Sequence, residues 1–508
     1  MNKKNLMVSI FLLSLSYIIN YAITLVLTPY ITNNMGVEAY GFITLAKTVA
    51  SYATIFTIAL NSYSSRFIAL EYHKGNLEKA CKYYSSVFIG NFTIGILFLI
   101  ISLSCYPLFS IIFNIPEMLI NDVSFLFLLV FLNLIISTSG SALQAASYIK
   151  NKINIVGLIR TLSYFFEAIT LFFLFFLFED HLFFVGIGLI VSTIVLTLGN
   201  LIITKKYTPD LKFSLKLFSI NSVKELVFNG IWNSFNSLGN QLNSGLDLVI
   251  SNNMLGAIST GQISIVKTMS SVFSGIYQLI SQPFQPTLLK NYSEGNVKKL
   301  VENLKLSMKL CGFISNIAFA GFVALGLSFY RLWIPTQDIQ RVYLLTIIGI
   351  LSCICEGAIF PLYYIYTLTL KNKIPCLVTI IGGLVNVLSM IILIKFTSMG
   401  SFAVLLTTAI IMNIINGIIN PIYMAHCLKI KWYTFFSTLI RHILSLGLMT
   451  GIFKLISLIF PEGGWLLFIT DVLILFVVGL IVHTLVTFTK KDYLAIKNRI
   501  LVSKQRKI

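Results

Sequence analysis

A lysine inside a long apolar run is costly in hydrocarbon and has to face protein or water. Lys47 and Lys267 are two such residues. Each lies on a polar stripe. Thr44, Lys47, Ser51, Thr54 and Asn61 are spaced by three, four, three and seven, and Ser264, Lys267, Ser271, Ser274, Gln278 and Ser281 by three and four. That spacing puts each set on one face of a helix. An ammonium held there is a compact donor suited to a mobile phosphate or pyrophosphate group. The competing reading is a lysine neutralised by a buried acid.

A third stripe runs through Asn233, Asn236, Asn240, Asn243 and Asp247, answered weakly near the N-terminus by Tyr17, Asn20, Thr24 and Thr28. Asn240 and Asn243 suit sugar hydroxyls, and equally suit hydrogen bonds between helices. Asp247 lies near the end of its apolar segment, where it is interfacial, pairs with Lys267 or carries a coupling proton or cation. Glu356, five residues before Pro361, and Glu167 are the other acids within apolar segments and are further coupling candidates. Arg66 closes the Lys47 segment, either as a phosphate contact at a cleft mouth or as a snorkelling anchor. Pro283, Pro286 and Pro361 are expected to break helices, as hinges or as static kinks.

Other chemistry finds no motif. The chain contains no P-loop, nucleophile elbow or dinucleotide fingerprint. Its five histidines form no paired metal motif, and the close cysteines Cys353 and Cys355 lack metal or redox spacing. No catalytic residue, cofactor or metal is expected.

The elements that hold these residues must be membrane helices. The 508-residue chain is 57% hydrophobic and 11% charged, with mean hydropathy +0.88. That is too apolar for a soluble protein. About fourteen apolar runs of spanning length centre near residues 17, 51, 95, 133, 168, 193, 240, 272, 319, 354, 386, 413, 450 and 477. Met1 to Lys4 and the following apolar run read as an uncleaved first span. Tyr40, Trp333 and Trp465 fall where an interfacial aromatic belt is expected.

The formal charge of +19 follows the same plan. Basic residues crowd alternate loops: Lys3 and Lys4; Arg66, Lys74, Lys79 and Lys82; Lys150, Lys152 and Arg160; Lys205 to Lys224; Lys290 to Lys309; Lys371 and Lys373; Lys429, Lys431 and Arg441; and the tail from Lys490 to Lys507. The intervening segments carry little beyond Arg331, Arg341, Lys395 and Lys454. By the positive-inside rule this places both termini in the cytoplasm and makes the charge a matter of topology, not of nucleic-acid binding.

Gly36, Gly41, Ile43, Lys47, Thr48 and Ser51 recur, without gaps, as Gly256, Gly261, Ile263, Lys267, Thr268 and Ser271; Gly75, Asn76 and Lys79 recur as Gly295, Asn296 and Lys299. An offset holding six spans keeps both copies in the same orientation, so the repeats are parallel and the two lysines are expected to face one central cleft. The expected fold is an all-α polytopic membrane protein of two parallel six-helix lobes plus two C-terminal helices. Its parts are an N-lobe over 1–204, a cytoplasmic connector over 205–226, a C-lobe over 227–428, and spans thirteen and fourteen with a basic tail over 429–508.

The segment from Met35 through Phe67, with Gly36, the Tyr40-Gly41 pair, Lys47 and Arg66 before a basic loop, resembles bacterial polysaccharide biosynthesis proteins of the Wzx flippase type. These share a superfamily with multidrug-and-toxin-extrusion transporters and the lipid II flippase. The resemblance implies transfer of an undecaprenyl-pyrophosphate-linked oligosaccharide from the inner to the outer leaflet of a bacterial cytoplasmic membrane, for O-antigen, capsule or exopolysaccharide. Its implied partners are that lipid-linked glycan, membrane lipids and other polysaccharide assembly proteins. By the same resemblance, spans thirteen and fourteen match helices that bind a lipid tail in the lipid II flippase. The alternatives are an ion-coupled exporter of cationic drugs, which would use acids in a first span that here has none, and a membrane glycan polymerase or ligase, which would need a large outer loop.

Overall fold

A computed structural model describes residues 3–105, 108–150, 152–460 and 463–489, with backbone alone for residues 3–10, 105 and 153. The expected basic tail from Lys490 to Lys507 and the side chains of Lys3 and Lys4 lie outside the described residues. The described elements are helices and short helical turns, which join into long apolar spans. Helices satisfy every backbone polar group internally, which is what a chain in hydrocarbon requires.

Thirteen described helices are long and apolar enough to cross a membrane, from Phe11–Asn34 to Trp465–Thr487. They coincide with thirteen of the fourteen expected spans. The seventh instead forms as Ile220–Ser244 followed, after Gly245, by Leu246–Leu255. Its length is sufficient, but the asparagine stripe makes it too polar to qualify by composition. Its start is capped by Ser219, whose hydroxyl accepts from the Ser222 amide.

The duplication is written into the backbone. Val37–Asn61 and Ala257–Ser281 are both 25 residues long and follow glycines with φ of 95° and 88°. The loops after them repeat bond for bond: the Asn76 amide donates to Glu71 O at 2.9 Å and the Asn296 amide to Asn291 O at 3.0 Å, around Gly75 at φ 81° and Gly295 at φ 67°. Left-handed backbone at these positions favours glycine in both copies. The same register continues where no matching residues announce it. The 3-10 turns Gly140–Leu143 and Phe360–Tyr363, and the short helices Gln144–Ile149 and Tyr364–Thr369, are equivalent.

Proline is therefore not what breaks these helices. The eighth span turns 3-10 at Gln282–Phe284, beside Pro283, and the second breaks at the equivalent Ser62 and Tyr63 without proline. Pro361 sits in its 3-10 turn, whereas the equivalent turn has Ser141. The twelfth span does differ from the sixth: it carries a π-helical stretch, Ile415–Ile419, just before Pro421, where Phe183–Tyr207 is continuous.

Two compact units are present. The first comprises Met1–Ile265 with Thr379–Ser401, the second Val266–Val378 with Phe402–Ile508. Compactness thus does not follow chain order, because the seventh helix and most of the eleventh (Lys373–Phe396) pack within the first unit. Small residues make this possible: a side-chain carbon on Gly230 would overlap Ala59 O of the second span, and one on Gly239 would lie 2.9 Å from Ile380 N. The Ser234 hydroxyl adds a bond to Ile55 O at 2.7 Å.

In the second unit, histidines sew the last two spans to the ninth (Val297–Trp333) and the tenth (Ile339–Thr369). His442 Nε2 meets Ile354 O at 3.0 Å, His483 Nε2 meets Lys309 O at 2.9 Å, and Asn316 donates to His442 O at 3.0 Å. Ser445 Oγ lies 3.0 Å from His483 Nδ1. Met449, Phe453 and Leu475 fill the apolar space alongside.

Candidate functional site

The Lys47 stripe forms as a helix face in the first unit. Lys47 itself is exposed on that face. Its ammonium makes no hydrogen bond or ion pair with the described residues. The acid whose field reaches it is Glu167 of the fifth span, 5% exposed, with Ser192 of the sixth in hydrogen-bonding reach. A buried acid is thus near this lysine, but not close enough to tie the ammonium down.

Around Glu167 the first and fifth spans contribute tyrosines. Tyr164 interacts electrostatically with Arg160, Glu167 and Tyr17, and Tyr21 with Tyr17 and Tyr164. The first unit therefore holds a cluster of one lysine, one arginine, one glutamate and several phenols. It has donors for an anion and a carboxylate to compete with that anion.

Ser51 and Ser271 behave alike. Their hydroxyls donate backward to Thr48 O at 2.6 Å and Thr268 O at 2.8 Å, leaving their oxygens as acceptors. Asn61, the last of the stripe, is consumed by packing: it exchanges bonds with Asn91 at 3.2 and 2.8 Å and accepts from Ser141 at 3.0 Å. Arg66 is exposed at the start of the basic loop.

The asparagine stripe divides in two. Asn236 and Asn240 are exposed, with Trp232 and Phe235 beside them at a ring separation of 6.0 Å. Asn243 is 2% exposed and bonds Thr379 O at 2.8 Å and Gly239 O at 2.9 Å, while Asn386 donates to its carbonyl at 3.0 Å. Asn243 therefore holds the eleventh span instead of facing open space. Asp247 is 2% exposed and follows the break at Gly245. It interacts with Tyr52, whose hydroxyl, 2.8 Å from where a Gly245 side chain would begin, is buried with no hydrogen-bond partner among the described residues. Asn243 Oδ1, four residues before Asp247 and across the Gly245 break, and Ser251 Oγ, four residues after it, are likewise buried and unbonded.

In the second unit, Lys267 is half-buried and Ser271 exposed. Glu356 is half-buried in the tenth span, with Tyr277, Tyr363 and Cys353 within its field. No group of histidine, cysteine or acidic residues able to hold a metal occurs among the described residues.

Tyr21, Tyr52 and Tyr164 were not singled out by sequence reasoning, because an isolated tyrosine in an apolar run looks like packing. Tyr164 stands three residues before Glu167, a helical-face spacing that would have flagged it.

Long apolar helices, a parallel repeat and charged groups inside define a multi-pass membrane protein of transporter architecture. Solved structures of that class are similar. An inward-facing multidrug resistance MATE family transporter of the MOP superfamily aligns over 82% of this chain and 94% of its own, with TM-score 0.65 and 14% identity. The lipid II flippase MurJ, in an inward closed conformation, aligns over 88% and 96%, with TM-score 0.59 and 17% identity. The chain belongs to the polysaccharide biosynthesis protein family, whose model matches residues 6–292. The uncharacterized membrane protein EpsK of Bacillus subtilis (strain 168) is 26% identical over 396 residues, 78% of each chain.

Proposed function

We propose that this protein is a flippase for a lipid-linked oligosaccharide, moving an undecaprenyl-pyrophosphate-linked glycan from the inner to the outer leaflet of the cytoplasmic membrane by alternating access. The observation that carries this is Lys47, an accessible cation held midway along a membrane helix with Glu167 near but unpaired. A pyrophosphate cannot cross hydrocarbon unaided, while its polyprenyl tail can remain in lipid. Lys47 and its repeat Lys267 would carry the anionic head, with Arg66 at the inner mouth. Asn236 and Asn240 would meet glycan hydroxyls, and Trp232 would offer a flat apolar face. Membership of a polysaccharide biosynthesis family supports a glycan as cargo. The work is movement, with no bond made or broken, and surface polysaccharide assembly proteins would act before and after it.

The charged loops support cytoplasmic termini. Asp247 supports ion coupling, since it interacts with Tyr52, and Asn243 and Ser251, four residues before and after it, carry further unbonded oxygens; Glu356 and Glu167 are the other acids available.

The test is the leaflet distribution of the lipid-linked oligosaccharide in cells of wild type, a deletion and Lys47→Ala/Lys267→Ala. Trapping in the inner leaflet in both altered strains is expected. An unchanged distribution in a deletion strain freed of other flippases would overturn the reading and point to ion-coupled drug export.

A further inference from the structure

We infer that the seam between the first span (Phe11–Asn34) and the fifth (Asn154–Leu177) is a binding groove for the polyprenyl tail of the cargo, an inference resting on the flippase reading. A cavity of about 630 Å³ runs along this seam, walled by Ile18, Ala22, Val26, Leu171, Phe172 and Phe176 among others. That volume lies in the range, about 300–1,000 Å³, of sites that enclose most of a ligand. Apart from Tyr30, every lining side chain is hydrocarbon.

One end is closed by polar groups: Tyr30 Oη donates to Asp180 Oδ1 at 2.7 Å, and the Tyr30 ring packs edge-on to Phe175 at 5.0 Å. Such a phenol, apolar in body and polar at its tip, fits where hydrocarbon gives way to water.

The same two helices carry the charged cluster on another face. Ile18 and Ala168 line the groove, and their chain neighbours Tyr17 and Glu167 belong to the cluster with Tyr21, Tyr164 and Lys47. A bilayer phospholipid keeps its phosphate at the interface. Here the ammonium of Lys47 lies midway along its span, in a cluster whose Tyr17 and Glu167 are level with part of the groove. The amphiphile that fits both has its phosphate drawn to mid-depth while its chain stays in lipid, which is the posture of a polyprenyl diphosphate in transit. The flat rings of Phe172 and Phe176, stacked at 5.7 Å, offer a broad face to a branched chain.

The experiment uses the full-length protein in vesicles of phosphatidylethanolamine and phosphatidylglycerol, with a polyprenyl diphosphate bearing a photoreactive group in its tail. Labelled peptides are expected from the first and fifth spans, displaced by unlabelled polyprenyl diphosphate and not by added phosphatidylglycerol. Ala22→Trp, which fills the groove, should lower that labelling about tenfold. Ala168→Trp fills it from the other wall and serves if the first variant does not fold, with equal thermal stability as the check. Equal displacement by both lipids would mean that annular lipid alone fills the groove, and labelling centred on other spans would place the tail elsewhere; either overturns the inference. Binding is read without transport, so the two failures separate. Groove labelling with an unchanged leaflet distribution in the deletion strain would sink the flippase reading alone, whereas inner-leaflet trapping without groove labelling would sink the groove alone.

Discussion

A side-chain carbon on Gly41 would lie 2.8 Å from the backbone nitrogen of Gly261, its equivalent in the duplication, and one on Gly261 would overlap Val37 O. The two copies of one residue thus meet backbone to backbone. Gly41→Leu and Gly261→Val should each lower the midpoint of thermal unfolding in detergent, with an overpacking penalty of about 1–3 kcal/mol. Gly447→Ala, where nothing lies within 4 Å of the new carbon, is the control expected to change little.

Lys47→Ala should reduce export of the lipid-linked glycan about tenfold or more. Glu167→Gln removes the competing carboxylate and should tighten binding of inorganic pyrophosphate to the purified protein, read by calorimetry, while slowing turnover. If Lys47→Ala leaves pyrophosphate binding intact, the cation is structural.

The asparagines separate packing from recognition. Asn243→Ala breaks buried bonds to the eleventh span and should destabilise the protein by about 1 kcal/mol, a usual size for polar contacts in membranes. Asn240→Ala should leave the unfolding midpoint unchanged and lower transport of the native glycan.

Two histidines tie the last spans to the rest of the second unit, His442 to the tenth and His483 to the ninth. His483→Phe removes the bond to Lys309 O and should expose the loop near the thirteenth and fourteenth spans to limited proteolysis, without changing pyrophosphate binding by the first unit.

Pro361→Ala should preserve both the 3-10 turn and transport. The equivalent turn at Gly140–Leu143 forms with Ser141 in that place. Loss of transport with unchanged stability would make this proline a hinge.

Much of this was legible in the residues. Hydropathy located the spans, and the Gly and Asn matches marked positions where left-handed backbone and a helix start recur. The equivalent turns at Gly140 and Phe360 were not legible, because a turn inside a helix leaves no composition when different residues fill it. The Lys47 stripe was readable as a face, yet its acid was not, since Glu167 is contributed by another helix. Exposure decided the asparagines: Asn240 and Asn243 are alike in sequence and differ only in what the eleventh span covers.

The seventh helix has a consequence for how the chain is made. Helices enter a bilayer from the translocon according to their own apolarity, and amides raise the cost of that step. Ile220–Ser244 has too little apolarity to stay by itself, so its residence in the membrane depends on Gly230 and Ser234 seating on a second span that is already there. Biogenesis is thereby ordered: the N-terminal helices act as the solvent into which the polar one is delivered, and a defect in the second span would be felt as failed insertion of the seventh.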